Sequence, residues 1–284
     1  MQPYRVDLKS GEITAAGKAT ALVPDSLSLL PGDRAICFFD GPRLLSLLNG
    51  RRHENTRTVY EVPEPWEKAP GFGLSVEGNH AAFIERNGNA YRIRLASMLR
   101  GGVSTVLQAD TPLSDVMPRP RRAGLIYRKE AGLWLVNFDG QQNRPLKTAP
   151  GKIGSYLWSA DGKTVLYLSY PDDPAKLHQV RELTPDTNED KLVAPTSQFV
   201  AFARNADATV FAGASASKAS RYILLLLRTA RRELTLCEHR ASDATQVVIA
   251  FAPNSQRLFF QSDRDGKPAI YTMKIEKFVE ETES

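Results

Sequence analysis

The feature that most constrains this chain is a hairpin sequence that recurs. In FAPNSQRLFFQSDRDGKPAIYTMKI (251–275) an apolar run meets a turn, a second apolar run, a polar Gly turn and a third apolar run. Five other stretches follow the same order. Aligned on the small or polar residue of the first turn, they bring Gly32, Gly78, Arg121, Gly162, Ala208 and Ser255 into register, at spacings of 46, 43, 41, 46 and 47 residues. A fixed period of this length, with about four short strands per unit, predicts the blades of a β-propeller. The fold class expected is therefore all-β, as a single propeller domain over 1–284.

The interior of one unit supports this. In 151–195, strands are predicted at Gly154–Trp158, Thr164–Ser169, His178–Leu183 and Lys191–Ala194, separated by SADGK, YPDDPAKL and TPDTNED. Short β-branched or alternating runs bounded by Pro, Asp, Asn and Gly are strand and hairpin signals. Units are expected near 27–65, 70–108, 110–148, 151–195, 197–244 and 245–278. Residues 4–17 read as two more strands around a turn. They complete a ring of six four-stranded blades, or they belong to a seventh.

Composition narrows the class. With 42% hydrophobic and 24% charged residues over 284 positions, the chain can bury a sizeable core. The longest apolar run, Tyr222–Leu227, is far shorter than the roughly 18 residues of a membrane span. The N-terminus, MQPYRVDLKSGE, lacks the basic and apolar regions of a secretory leader, so a cytoplasmic protein is expected. The chain opens in mid-blade, however, and a start upstream of this one would place it in the periplasm or outside the cell. Cys37 and Cys237 each lie in an apolar run and read as small core residues. A net charge of +5 favours an anionic partner. The basic clusters RR (51–52), RPRR (119–122) and RTARR (228–232) carry no interleaved aromatics, so nucleic acid is not expected, nor is a membrane.

Over about 133–275 the chain resembles the oligogalacturonate lyases and, more distantly, TolB-type propellers. The stretches LWLVNFDG, LWSADGKTVLYLSY, TSQFVAFARNADATVFAG, LLLLRTARRELTLCEHRASD and FAPNSQRLFFQSDRDGKPAIY carry the likeness; residues 1–130 match only as generic repeats. The resemblance implies cleavage of short pectin fragments by β-elimination, aided by Mn²⁺ in the central channel. It also implies where the working residues should fall. A metal-binding His falls on Gln198, a Gln on Asp243, and two further His on Gln246 and Val248. The catalytic His falls on Ser155, and an Arg falls on Gly132. Valine cannot ligate, glutamine is a weak neutral donor, and serine without a neighbouring base cannot take a carbon-bound proton. The family's elimination is not expected through these positions, and no cofactor is expected unless the lyase reading holds with Mn²⁺. The remaining candidate metal ligands are Gln198, Asp243 and Gln246.

The chain has four histidines, His53, His80, His178 and His239. His178 opens a strand after a long loop, with Arg181 on the following turn of the pleat. His239 lies beside Arg240 at the end of a strand. If any catalysis remains, His178 and His239, with Arg181, are the candidates, and the reaction class is a carbon–oxygen lyase on oligogalacturonides. Propeller topology should gather Ser155, Lys176, His178, Gln198, Lys218, Arg221, His239, Arg240 and Gln246 at one channel mouth. That mouth suits an acidic oligosaccharide or another small anion. Three functions are carried forward: a lyase-like propeller that binds such a ligand without the family's chemistry, a lyase with a rearranged site, and a TolB-like platform for a protein partner.

Overall fold

The computed structural model describes residues 3–7, 10, 12–16, 19–30, 35–48, 56–217, 219 and 221–276. His53, Arg51, Arg52, Lys218 and the polar tail after 276 lie outside them. The described chain is all-β apart from short 3-10 turns, and no described helix is long and apolar enough to cross a membrane. It divides into two compact units, Met1–Leu146 and Lys147–Ser284.

The first unit opens with a two-stranded ribbon, β1 (Tyr4–Val6) and β2 (Ile13–Ala15). Three four-stranded antiparallel sheets follow. The first is β3 (Leu22–Leu29), β4 (Ala35–Asp40), β5 (Arg43–Leu48) and β6 (Thr56–Glu61). The second is β7 (Glu67–Leu74), β8 (His80–Asn87), β9 (Ala90–Ser97) and β10 (Val103–Ala109). The third is β11 (Leu113–Pro118), β12 (Gly124–Lys129), β13 (Gly132–Asn137) and β14 (Arg144–Pro145).

The second unit repeats the plan. One sheet is β15 (Lys152–Trp158), β16 (Val165–Tyr170), β17 (Gln179–Thr184) and β18 (Glu189–Pro195). The next is β19 (Phe199–Arg204), β20 (Val210–Ser215), β21 (Tyr222–Leu227) and β22 (Arg232–Glu238). The last has three described strands, β23 (Ile249–Phe251), β24 (Arg257–Ser262) and β25 (Ala269–Lys274). Strands pair in chain order throughout. Each sheet is an up-and-down meander, and the first strands of neighbouring sheets lie side by side within each unit. This is the blade arrangement of a propeller.

The core lies between blades. Cys37, Phe39 and Leu44 pack against Ala81, Phe83 and Ala96 of the next sheet. Leu166, Leu168 and Val180 pack against Phe199, Phe202 and Phe211. Val210, Ile223 and Leu225 pack against Ile249, Leu258 and Phe260. Cys237 joins this last cluster, and both cysteines are free thiols.

The turn used to align the repeat has one geometry. Gly78, Arg121, Gly162, Ala208 and Ser255 all have positive φ, between 58° and 71°. In each case the last residue before the turn donates its N–H to the first strand residue after it, as in Ser75 to His80, Ser159 to Thr164, Asn205 to Val210 and Ala252 to Arg257. One position per repeat must therefore take the left-handed conformation, which costs an L-residue about 1 kcal/mol or more. Glycine meets this demand in two of the five described turns. Replacing Arg121, whose side chain is exposed, with glycine should raise stability by about 0.5–1 kcal/mol, while Gly78→Ala should lower it by about 1 kcal/mol; denaturant midpoints check both.

Candidate functional site

The first and third strands of a meander start at the same end of the sheet. In the second unit this end collects the connections into β15, β19 and β23 and the loops into β17 and β21, where most of the expected site residues lie.

His178 lies on this edge, at the entry to β17. Its Nδ1 lies 2.8 Å from the carbonyl oxygen of Phe199, the first residue of β19. A carbonyl accepts only, so Nδ1 carries a proton, and in the neutral tautomer consistent with this bond Nε2 is the acceptor nitrogen. Among the described residues Nε2 has no protein partner. The ring is half-buried and rests on Tyr170, with centroids 4.4 Å apart. The His178 carbonyl accepts from both the N–H and the hydroxyl of Thr196. Three elements thus fix this imidazole, and Gln198 sits one residue from its anchor.

Gln198 has φ of 58°, and its backbone is fully used: its N–H bonds the Thr196 carbonyl, and its own carbonyl accepts from Ala216. Arg221 takes in the next blade the place His178 takes in this one, because its carbonyl accepts from His239 N–H as that of His178 accepts from Thr196. The Arg221 side chain is exposed, as are Lys176, Ser155 and Gln246. Ser155 lies at the bulge where β15 shifts register against β16, between Ile153 and Tyr156. Gln246 ends a 3-10 turn, Ala244–Gln246.

His239 does not join this surface. It is fully buried, its Nε2 donates to the Ser215 carbonyl at 3.0 Å, and its Nδ1 accepts the Ala241 N–H at 3.0 Å. Its carbonyl accepts the Ser262 hydroxyl. With both ring nitrogens committed inside the protein, it stitches two blades together and has nothing left for an anion or a proton. Arg240 next to it is exposed and paired with Glu238 at 2.6 Å. Arg181 is likewise elsewhere: it sits on a third strand, bound to Asp190 at 3.2 Å and to Gln179. Tyr167 donates to the same Asp190 carboxylate, so Arg181 is a blade-internal partner.

The residues at the expected metal positions do not fit a divalent ion. The Asp243 carboxylate caps the 3-10 turn, accepting both the N–H and the hydroxyl of Thr245, and these bonds hold its pKa below the usual carboxylate range. Val248 presents a hydrocarbon, 61% exposed. Gln198 and Gln246 offer only neutral amides. Among the described residues no three His, Cys, Asp or Glu side chains gather.

Sequence reading missed Tyr170 and Thr196. Tyr170 donates its hydroxyl to the Val200 carbonyl at 3.3 Å and packs so closely on Gly154 that no side chain would fit there. Both residues look like ordinary strand-end residues until the neighbouring blade is in place.

Six successive antiparallel meanders with a polar edge define a β-propeller. Over nearly its whole length, this one is similar to the oligogalacturonate lyases. The chain is 23% identical to the oligogalacturonide lyase of Pectobacterium atrosepticum and 21% identical to the oligogalacturonate lyase of Dickeya dadantii, each over 96% of this chain and 82% of the relative. An oligogalacturonate lyase solved in complex with manganese superposes with a TM-score of 0.88 at 20% identity, covering 96% of this chain and 82% of that one. TolB from Acinetobacter baumannii matches with a TM-score of 0.57 at 13% identity, over 82% of this chain and 58% of that one. No protein-family model matches the chain. The fold is that of an oligogalacturonate lyase-like propeller.

Because His239 is structural, His239→Ala should cost about 2–3 kcal/mol by orphaning the Ser215 carbonyl and the Ala241 N–H. Equilibrium unfolding measures this.

Proposed function

We propose that the protein is an oligogalacturonate lyase-like propeller that binds an acidic oligosaccharide at the loop end of its second unit and does not use the family's metal-assisted elimination. The observation that carries this reading is the donor set. Where the resemblance expects a metal cage there are two amides, a capped carboxylate and a valine, while the same edge keeps Lys176 and Arg221 exposed and the ring of His178 fixed. Cations and amides at an open edge suit uronate carboxylates and hydroxyls. Relatives bearing the lyase name support the saccharide class.

A second reading rests on His178 itself. A neutral imidazole with its Nδ1–H held by a carbonyl is a base at Nε2, which is what abstraction of the proton beside a uronate carboxylate requires. In that case the protein is a lyase with a relocated base.

Calorimetric titration with saturated trigalacturonate, run beside ultraviolet absorbance of the same substrate with Mn²⁺, separates the readings. The first expects binding that weakens roughly three- to tenfold in Lys176→Ala or Arg221→Ala, with no new unsaturated-uronate absorbance. Absorbance that grows with wild type and vanishes with His178→Ala would replace the first reading with the second. Absence of both would sink the saccharide reading and leave a TolB-like protein platform in front.

A further inference from the structure

The first unit contains a cleft that this reading does not use. It measures about 420 Å³ and opens between the first two blades, at the β4–β5 turn and the entry to β7. Val23, Pro42, Trp66 and Pro70 line it, together with Asp25 and Lys68.

Lys68 has unusual surroundings for a lysine. Its Nζ donates to two backbone carbonyls, Ala69 and Gly71, at the β7 bulge, the second at 3.0 Å. It also lies 5.4 Å from the centre of the fully buried Phe39 ring. Among the described residues no carboxylate is within ion-pair distance of it. Two of the carboxylates nearby are held by arginines. Glu85, directly across the β7–β8 ladder, is buried and bound through Oε2 by Arg92, with Arg94 at 3.8 Å, while among the described residues its Oε1 has no hydrogen-bond partner. Glu67 pairs with Arg86 at 3.2 Å. Asp25 lines the same cleft and makes no ion pair with the amine. Burial holds the Lys68 ammonium down to about 8, against the smaller upward pull of Asp25 and Glu85.

A lysine desolvated beside hydrocarbon, with no direct ion pair and lining a cleft, has the properties of an amine nucleophile. The two carbonyls take two N–H bonds, which leaves the lone pair of the neutral amine for a third direction. We infer that Lys68 is an imine-forming residue and that the cleft takes a small, uncharged aldehyde or ketone. The amine lone pair attacks the carbonyl carbon and the C=O π pair moves onto oxygen; one nitrogen proton is carried by Asp25 to that oxygen, giving the neutral carbinolamine. The nitrogen lone pair then forms the C=N bond as the C–O bond breaks, and the second nitrogen proton, released from its backbone carbonyl and carried by the same carboxylate, leaves with the hydroxide. Water leaves and a C=N bond remains; no oxidant or reductant is consumed. The apolar walls and the carboxylate of Asp25 select against anionic carbonyl compounds.

The test is reductive trapping. The folded protein is treated with limiting glycolaldehyde and cyanoborohydride near pH 7.5, and modification at each lysine is read by peptide mass spectrometry. Lys68 should react at least about tenfold faster than exposed Lys163, because a far larger fraction of it is neutral at that pH. The preference should disappear in urea, where all lysines are alike, and should fall when glyoxylate replaces glycolaldehyde. If folded Lys68 reacts no faster than Lys163, the inference is wrong. If the preference persists in urea, it does not come from the cleft and the inference also fails. Neither result depends on whether the second unit binds oligogalacturonates.

Discussion

A four-stranded sheet has two faces and can bury neither alone, and this constraint organises the protein. Within each unit the described blades solve it by lying against one another, so the hydrophobic clusters form between sheets and each draws residues from two of them. Contact is close enough to dictate residue size. Gly73 of β7 lies against the backbone of Val116 and Met117 in β11 of the next blade, where no Cβ would fit. At about 25 cal/mol per Å² of apolar surface, such interfaces supply the main drive for folding. They also fix the pitch between successive blades, and so decide which polar side chains meet at the edges.

Polar groups that cannot reach water at these interfaces are tied across them. Ser215 and Ser262, each ending a second strand, donate their hydroxyls at 2.6 Å to the carbonyls of Ser197 and His239 in the connections between blades. Thr196 and His239 complete the pattern from the other side, through the carbonyls of His178 and Arg221. The edge of the second unit is therefore a hydrogen-bonded seam in which one histidine, His239, is consumed and another, His178, is oriented. The difference is one of burial: the first has a backbone partner at each ring nitrogen, the second at only one.

The repeat was legible from the chain because its turn chemistry is local. Whether the residue is Gly78, Arg121, Gly162, Ala208 or Ser255, the apolar runs on either side recur at the same spacing, and the backbone takes the same left-handed step. Strand boundaries read from one unit lie within a few residues of β15–β18. The first blade begins earlier than expected, at Leu22, because β3 carries a bulge between Val23 and Ser28 that hides its alternation. The last blade shows three described strands where four were expected.

What the sequence determined by itself was the all-β repeat, the position of each hairpin and the loss of imidazole at the expected metal positions. These follow from local turn preference, from period-two patterning and from residue identity, none of which needs a neighbour. Only the tertiary structure decided which polar residues are free. His239 and His178 look alike along the chain, as do Arg181 and Arg221, and Lys68 reads as one lysine among many. Their partners are backbone carbonyls and carboxylates on adjacent strands and blades, brought within 3 Å or so by packing that the sequence encodes only collectively. Chemistry at a side chain depends on those few ångströms of solvation and charge, and so it could be read only after the blades were stacked.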